Sequence, residues 1–266
     1  MIKAKYPGRF VTIEGPDASG KSTSIEQLKK YLNMNPKDID NHRMRDIVEK
    51  IQQRFDGILF LREPGGTPVN DEIRNIILSP HKEPLYSRTQ VFLFAANRYQ
   101  NIRQIITPAL RANKLVICDR FLLSTLVYQT RLEYSSKKEQ LRQINELLDI
   151  HKFALEDVTA YDPDTNTHEY ITPDTTILFN VSEETIKQRM LTRRNNNETD
   201  MDVNDDAILK DVHRINKLRT RYHIIDDLGK SNESPWLNDI YQINADVEKD
   251  DRLNQIFELL NKTLYL

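Results

Sequence analysis

Residues Gly15-Pro16-Asp17-Ala18-Ser19-Gly20-Lys21-Ser22 lie between a short strand pattern, Arg9-Phe10-Val11-Thr12-Ile13-Glu14, and a helical pattern in which Ile25, Leu28 and Leu32 share a face. The spacing G-x-x-x-x-G-K-S in that setting commits the chain to a strand, a tight glycine loop and a helix. Glycine lets backbone N–H groups curl inward around an anion. The helix that follows points its positive end at the same place. Lys21 adds a point charge toward the outer phosphates of a nucleotide, and Ser22 offers a hydroxyl to Mg²⁺. An ordinary glycine turn is the plainer reading, and the match on both flanks argues against it.

With 266 residues the chain suits one large α/β domain or two small ones. A net charge of −2 gives no global attraction to nucleic acid. The one cysteine, Cys118, rules out an internal disulfide and fits a reducing compartment. No apolar run reaches membrane-spanning length and Met1–Lys5 lacks an apolar signal core, so a soluble, cytoplasmic protein is expected. Of seven glycines, Gly15, Gly20, Gly65 and Gly66 fall in two short motifs, where backbone must come close to something.

Five apolar runs read as strands: Phe10–Ile13, Ile58–Leu61, Leu115–Cys118, Thr176–Val181 and Tyr241–Asn244. Helical patterns separate them, which predicts a parallel sheet covered on both faces. The longest pattern, Tyr86–Arg111, contains Pro108 and is expected to kink or divide there. Others run over Lys137–Ala154, Glu183–Leu191, Ala207–Ile225, with Asp205 and Asp206 as N-terminal caps, and Asp250–Leu264. Tyr161–Asp174 is turn-rich and reads as a hairpin or an excursion loop. No internal repeat or linker divides the chain.

Two more motifs stand at strand carboxyl ends, where α/β sheets bind ligands. Strand two ends in Leu61-Arg62-Glu63-Pro64-Gly65-Gly66-Thr67, with Arg74 on a short helix beyond. Strand three ends in Cys118-Asp119-Arg120-Phe121. Asp119 can orient Mg²⁺ through water, and Arg120 can clamp a phosphate. Singly, each has a bland reading as a solvated arginine or a local ion pair; their common placement around the loop favours function.

These segments together resemble the thymidylate kinases. Gly15–Thr23 is similar to that family's phosphate loop, acidic third position included. Arg62–Thr67 with Glu72-Ile73-Arg74 resembles its second signature, Leu93-Phe94-Ala95-Ala96-Asn97-Arg98 its base-binding helix, and Asp119–Phe121 through Ser124–Gln129 its Asp-Arg-Tyr signature. Order and spacing agree over residues 9–129 and more loosely over 174–264. The resemblance implies a P-loop NTPase fold in one domain spanning 1–266, a five-stranded parallel sheet flanked by helices, with a mobile lid at about 192–206. It implies transfer of the ATP γ-phosphoryl group to dTMP with Mg²⁺, in a homodimer packed through the helix bearing Phe94. Gly15, Asp17, Ala18, Ser19, Gly20, Lys21, Ser22 and Thr23 would form the nucleotide loop, with Ser22 and Asp119 serving the metal. Asp17 would meet the dTMP 3′-hydroxyl, and Arg74 and Arg120 its phosphate. Phe94 would stack on thymine and Arg98 bond its carbonyl. Ser124, Thr125 and Gln129 would line the base pocket, and Tyr128 would lie under the sugar. For Phe94, core packing is the competing reading.

The chain departs from the family pattern in segments 33–55 and 130–173, which are longer, and in the lid. With Ala18 in the loop, the lid must supply arginine. It offers Arg193 and Arg194, then the acidic run Glu198–Asp206, which holds no cation. One alternative function is the same chemistry on another deoxypyrimidine monophosphate, dUMP or a 5-substituted analogue. Another is a non-catalytic nucleotide-binding regulator, against which Lys21, Asp119 and Arg120 argue. A nucleic-acid motor is disfavoured, because no basic tract or second motor signature appears.

Overall fold

A computed structural model describes residues 2–3, 5–80, 83–157, 169–195, 212–231, 234, 236–237 and 239–265. Five strands, β2 (Arg9–Glu14), β3 (Ile58–Arg62), β4 (Leu115–Asp119), β6 (Thr175–Asn180) and β7 (Ile240–Asn244), form one parallel sheet in the order β3-β4-β2-β6-β7. β2 is central and buried, so its two faces feed two cores. Phe10 joins one face with Val116, Cys118 and Leu178. Val11 and Ile13 join the other with Ile117, Ile177 and Phe179. The alternation is the period of two that a pleated strand imposes. Across β2 and β6, Thr12 and Thr176 lie in register and their hydroxyls meet at 3.0 Å.

Two faces need two helical layers. One contains α1 (Lys21–Leu32), α2 (His42–Arg54), α8 (Glu183–Asn195) and the C-terminal helix α10 (Lys249–Thr263). The charged segment before β3 therefore becomes an amphipathic helix: Met44, Ile47, Val48 and Ile51 are buried at helical spacing, and Asn41 caps the start by accepting from Met44 N–H at 3.1 Å. The other layer contains α4 (Ser87–Asn101), α5 (Thr107–Arg111), α6 (Leu122–Gln129), α7 (Lys137–Leu155) and α9 (Val212–Lys230).

The expected break near Pro108 falls as a π-turn over Ile102–Ile106, which joins α4 to α5 with the N–H of Thr107 bonded to the Ile102 carbonyl. Proline supplies no N–H of its own, and the wider turn lets the chain continue. The helix expected around Arg74 is longer, α3 (Pro68–Leu78), with Thr67 accepting from Asn70 N–H and Pro68 in its first turn. A two-residue parallel pair, β1 (Ile2–Lys3) with β5 (Glu169–Tyr170), was not anticipated. The Ala207–Ile225 pattern becomes Val212–Lys230 among the described residues, and Asp205, Asp206 and most of Tyr161–Asp174 lie outside them. Among the described residues no helix is long and apolar enough to cross a membrane.

From β2 the chain first builds β3 and β4 on one side, then β6 and β7 on the other. The carboxyl end of β2 is therefore the switch point of the sheet, where a crevice opens. The glycine loop leaves β2 there, and the Asp119-Arg120 corner leaves β4 beside it.

Candidate active site

The loop backbone needs its glycines. Gly15 has φ +148°, and a Cβ there would sit 2.9 Å from Phe179 Cβ. Gly20 has φ +94° and opens α1, directing that helix's N-terminus at the loop. Lys21, the first residue of α1, turns its ammonium back across the loop to the carbonyls of Gly15 at 2.8 Å and Pro16 at 2.9 Å. Burial, then the nearby Arg120 charge, lowers the Lys21 pKa to about 8, with Asp119, Asp17 and Glu14 opposing. Ser22 and Thr23 are exposed on the first turn, and Ser19 is buried.

Arg120 is the hub of this region. Its backbone adopts φ +68°, which turns the side chain back from β4 toward the loop. Nη1 donates to Gly15 O at 3.2 Å and to Ser124 Oγ at 3.1 Å. Nη2 pairs with Asp17, and the guanidinium lies 5.3 Å over the Tyr128 ring. Tyr128 donates to the other Asp17 oxygen at 2.8 Å. Burial pushes the Asp17 pKa up, but Arg120, Lys21 and the Tyr128 bond outweigh it and the net shift is downward. Asp17, Arg120, Ser124 and Tyr128, far apart in sequence, are thus brought together.

A second constellation surrounds Arg98. This side chain is 1% exposed and lies against the Phe121 ring at 4.7 Å. Nε and Nη2 donate to one oxygen of Glu63 at 3.1 and 2.8 Å, Nη2 also reaches Thr125 Oγ1 at 3.3 Å, and Nη1 meets His151 Nδ1 at 2.8 Å. The loop after β3 is fastened to α4 by amides: Asn101 Nδ2 donates to Gly65 O at 3.0 Å, and Asn70 Nδ2 donates to Asn101 Oδ1 at 2.7 Å. Phe94, one turn before Arg98, is half-buried and belongs to neither core, which disfavours the core-packing reading. Gln129 donates to Gln90 at 3.4 Å. Arg74 donates to Pro64 O at 2.9 Å and lines a groove of about 400 Å³ with Arg62, Gly66 and Ile105 along the edge strand β3.

The metal assignment can be tested on the donors present. Asp119 is buried, and its Oδ1 has no hydrogen-bond partner among the described residues. Its other oxygen is 4.0 Å from Arg62 Nε. Among the described residues no group of three or more His, Cys, Asp or Glu forms a cage. An exposed hydroxyl and one uncommitted carboxylate oxygen suit Mg²⁺, which keeps waters and takes its remaining ligands from phosphates. Arg193 and Arg194 stand on the last turn of α8 with side chains outside the described set, and the acidic run Glu198–Asp206 lies outside it altogether.

Several residues at the site carry no short-range sequence signal. Glu14, fully buried at the end of β2, accepts the N–H groups of Phe121 at 2.8 Å and Ser124 at 3.3 Å, and the Ser124 hydroxyl at 2.5 Å. Burial raises its pKa against those bonds. Tyr222, on α9, donates to Gly15 O at 3.0 Å. Arg189, on α8, donates to Ser19 O and to Ala245 O at 2.7 Å each, fastening the loop's outer side to the turn after β7.

Comparison with known proteins decides the family. Residues 41–147 match the family model described as thymidylate kinase. A thymidylate kinase of Exiguobacterium sp. strain AT1b is 35% identical over 187 residues, covering 70% of this chain and 69% of that protein. The chain belongs to the thymidylate kinase family. A thymidylate kinase of Pediococcus pentosaceus is 29% identical over 258 residues, 97% of this chain and 99% of that protein, so this likeness runs through residues 33–55 and 130–173. Among solved structures, the thymidylate kinase from Ehrlichia chaffeensis superposes with a TM-score of 0.56 at 21% identity, over 96% of this chain and 98% of that one, a likeness of fold.

Proposed function

We propose that the chain is a dTMP kinase: it moves the γ-phosphoryl group of ATP to a phosphate oxygen of dTMP, giving dTDP and ADP. The observation that carries this reading is the meeting of two cations from separate strand ends on one point, Lys21 Nζ and Arg120 Nη1 at 2.8 and 3.2 Å from Gly15 O. Two polyanions brought end to end need such convergence, because charge spreads over the transferred oxygens in the transition state. The loop N–H groups and Lys21 hold the donor phosphates, and Arg120 with Arg74 holds the acceptor phosphate. Asp17, ionised and oriented by Tyr128, takes the sugar 3′-hydroxyl. Phe94 stacks on the base and Arg98 bonds its carbonyl, with Thr125 and Gln129 beside them. Ser22 and Asp119 would hold Mg²⁺, which when bound neutralises phosphate charge. Arg193 or Arg194 supplies the lid cation. The chain works as one domain, in the cytoplasm, as a homodimer packed through α3 and α4, a reading supported by the exposed apolar side chains Val69, Ile76 and Phe92 on those helices and Tyr86 at the start of α4.

The test is ADP release by the purified protein with Mg-ATP across dTMP, dUMP, dCMP, dGMP and the ribonucleotide TMP. dTMP is expected to give the highest kcat/KM and the ribonucleotide a much lower one. A dUMP preference would favour the other deoxypyrimidine reading, and no release with any monophosphate would favour a regulator.

A further inference from the structure

Arg98 has five N–H donors, and their allocation says where it can act. The Nε–H and one Nη2–H go to Glu63, the second Nη2–H goes to Thr125, and one Nη1–H goes to His151. Among the described residues the one uncommitted N–H is therefore on Nη1, the nitrogen that His151 holds. Arginine has no acceptor, so at 2.8 Å the facing imidazole nitrogen, Nδ1, must be bare.

His151 is itself fully buried, on α7 within the extended segment 130–173. Ile144, Leu147, Leu148 and Leu155 of that helix sit in the same core as Val91 of α4, so the ring cannot swing aside at little cost. Glu63 and Thr125 hold the Nε–Nη2 edge of the guanidinium and Phe121 covers its face, while His151 holds the Nη1 corner.

We propose that His151 is a positioning residue for base recognition: its Nδ1 lone pair fixes Arg98 Nη1 so that the remaining N–H of that nitrogen addresses the pyrimidine carbonyl. The extended segment thereby contributes to substrate selection. The inference rests on the dTMP kinase reading for its ligand and on the Arg98–His151 contact for its geometry.

Two variants test it. His151→Asn keeps an acceptor close to the place of Nδ1, and His151→Leu keeps bulk without an acceptor. Loss of a hydrogen bond that orders a charged group predicts a rise in dTMP KM of about tenfold or more for the leucine variant, with kcat and ATP KM within about threefold of the parent. The asparagine variant is expected within about threefold of the parent on all three. A leucine variant with the parent's dTMP KM overturns the proposal, and so does an equal rise in ATP KM, the mark of a structural role alone. If the leucine variant does not fold, an asparagine variant with a tenfold higher dTMP KM overturns it, and one at the parent KM supports it. Nitrogen NMR of the parent protein reads the contact without turnover: Nδ1 bare and Nε2 protonated from about pH 5 to pH 8 supports it, and a protonated Nδ1 overturns it. A parent that turns over no monophosphate yet shows the bare Nδ1 would sink the dTMP reading while leaving the contact intact.

Discussion

On the proposed reading, replacing Lys21 by alanine removes a buried charge that would face the transferring group. A cation so placed is worth on the order of 3 kcal/mol or more in the transition state, so kcat should fall at least about a hundredfold while calorimetry still detects dTMP binding. A variant with more than a tenth of the parent rate contradicts the role. Arg98 behaves differently, because it is also half of a buried ion pair. Arg98→Ala leaves Glu63 uncompensated in the core, and a protein stability loss of about 3–5 kcal/mol is expected in denaturant titrations. The added change Glu63→Gln should recover much of that stability but not the dTMP affinity; recovery of both would remove Arg98 from the base. His151 brings a pH dependence. Burial, then Arg98, holds its ring far below the ordinary value of 6.5, so it stays neutral in the native state and takes a proton only on unfolding. The unfolded state then binds more protons below pH 6.5, and stability falls as pH drops, by up to about 1.4 kcal/mol per pH unit. Glu14 and Glu63, whose raised values favour protons in the native state, act in the opposite sense. The parent-minus-His151→Asn difference in stability from pH 7 to pH 5 isolates the histidine, and a flat difference would remove this origin.

At the scale of elements, the lid is the place for a prediction. Changing Arg193 and Arg194 together to alanine should lower kcat with little effect on dTMP binding. Neutralising Asp200 and Asp202 to asparagine should change kcat less than about threefold if these charges do not meet the nucleotide. Parent turnover in the double arginine variant would leave Arg120 serving both phosphates. What was legible at this scale had a physical cause. All five sheet strands were readable to within one residue at each end: the inner strands β2, β4 and β6 are buried on both faces and so are mostly apolar, and the edge strands β3 and β7 keep enough apolar and aromatic residues to stand out. The motifs at their carboxyl ends gave Lys21, Arg120 and Asp17 their neighbourhood. The pair Ile2–Lys3 with Glu169–Tyr170 was not readable, since two residues carry no period. Nor were Tyr222, Arg189 and His151 as members of the site. Each lies on a helix whose pattern reports only which face is buried, and its partners are more than fifty residues away.

For the whole molecule, the homodimer reading makes a prediction about surface. Phe92 on α4 is 59% exposed and Tyr86, at the start of that helix, 76%, and Val69 and Ile76 on α3 are exposed as well. Large apolar side chains gathered on one face mark an association surface. Light scattering should give twice the chain mass for the parent and the monomer mass for Phe92→Glu; a parent monomer would set that reading aside. Gly15 has a different kind of reach. Its carbonyl accepts from Lys21, Arg120 and Tyr222, groups supplied by the start of α1, the corner after β4 and helix α9. One ¹³C label at that carbon would make a single resonance a gauge of the whole assembly. Loosening α9, turning out Arg120 or moving Lys21 onto a nucleotide would each deprive the same oxygen of one donor, so a local spectroscopic reading would follow events in parts of the chain far from one another.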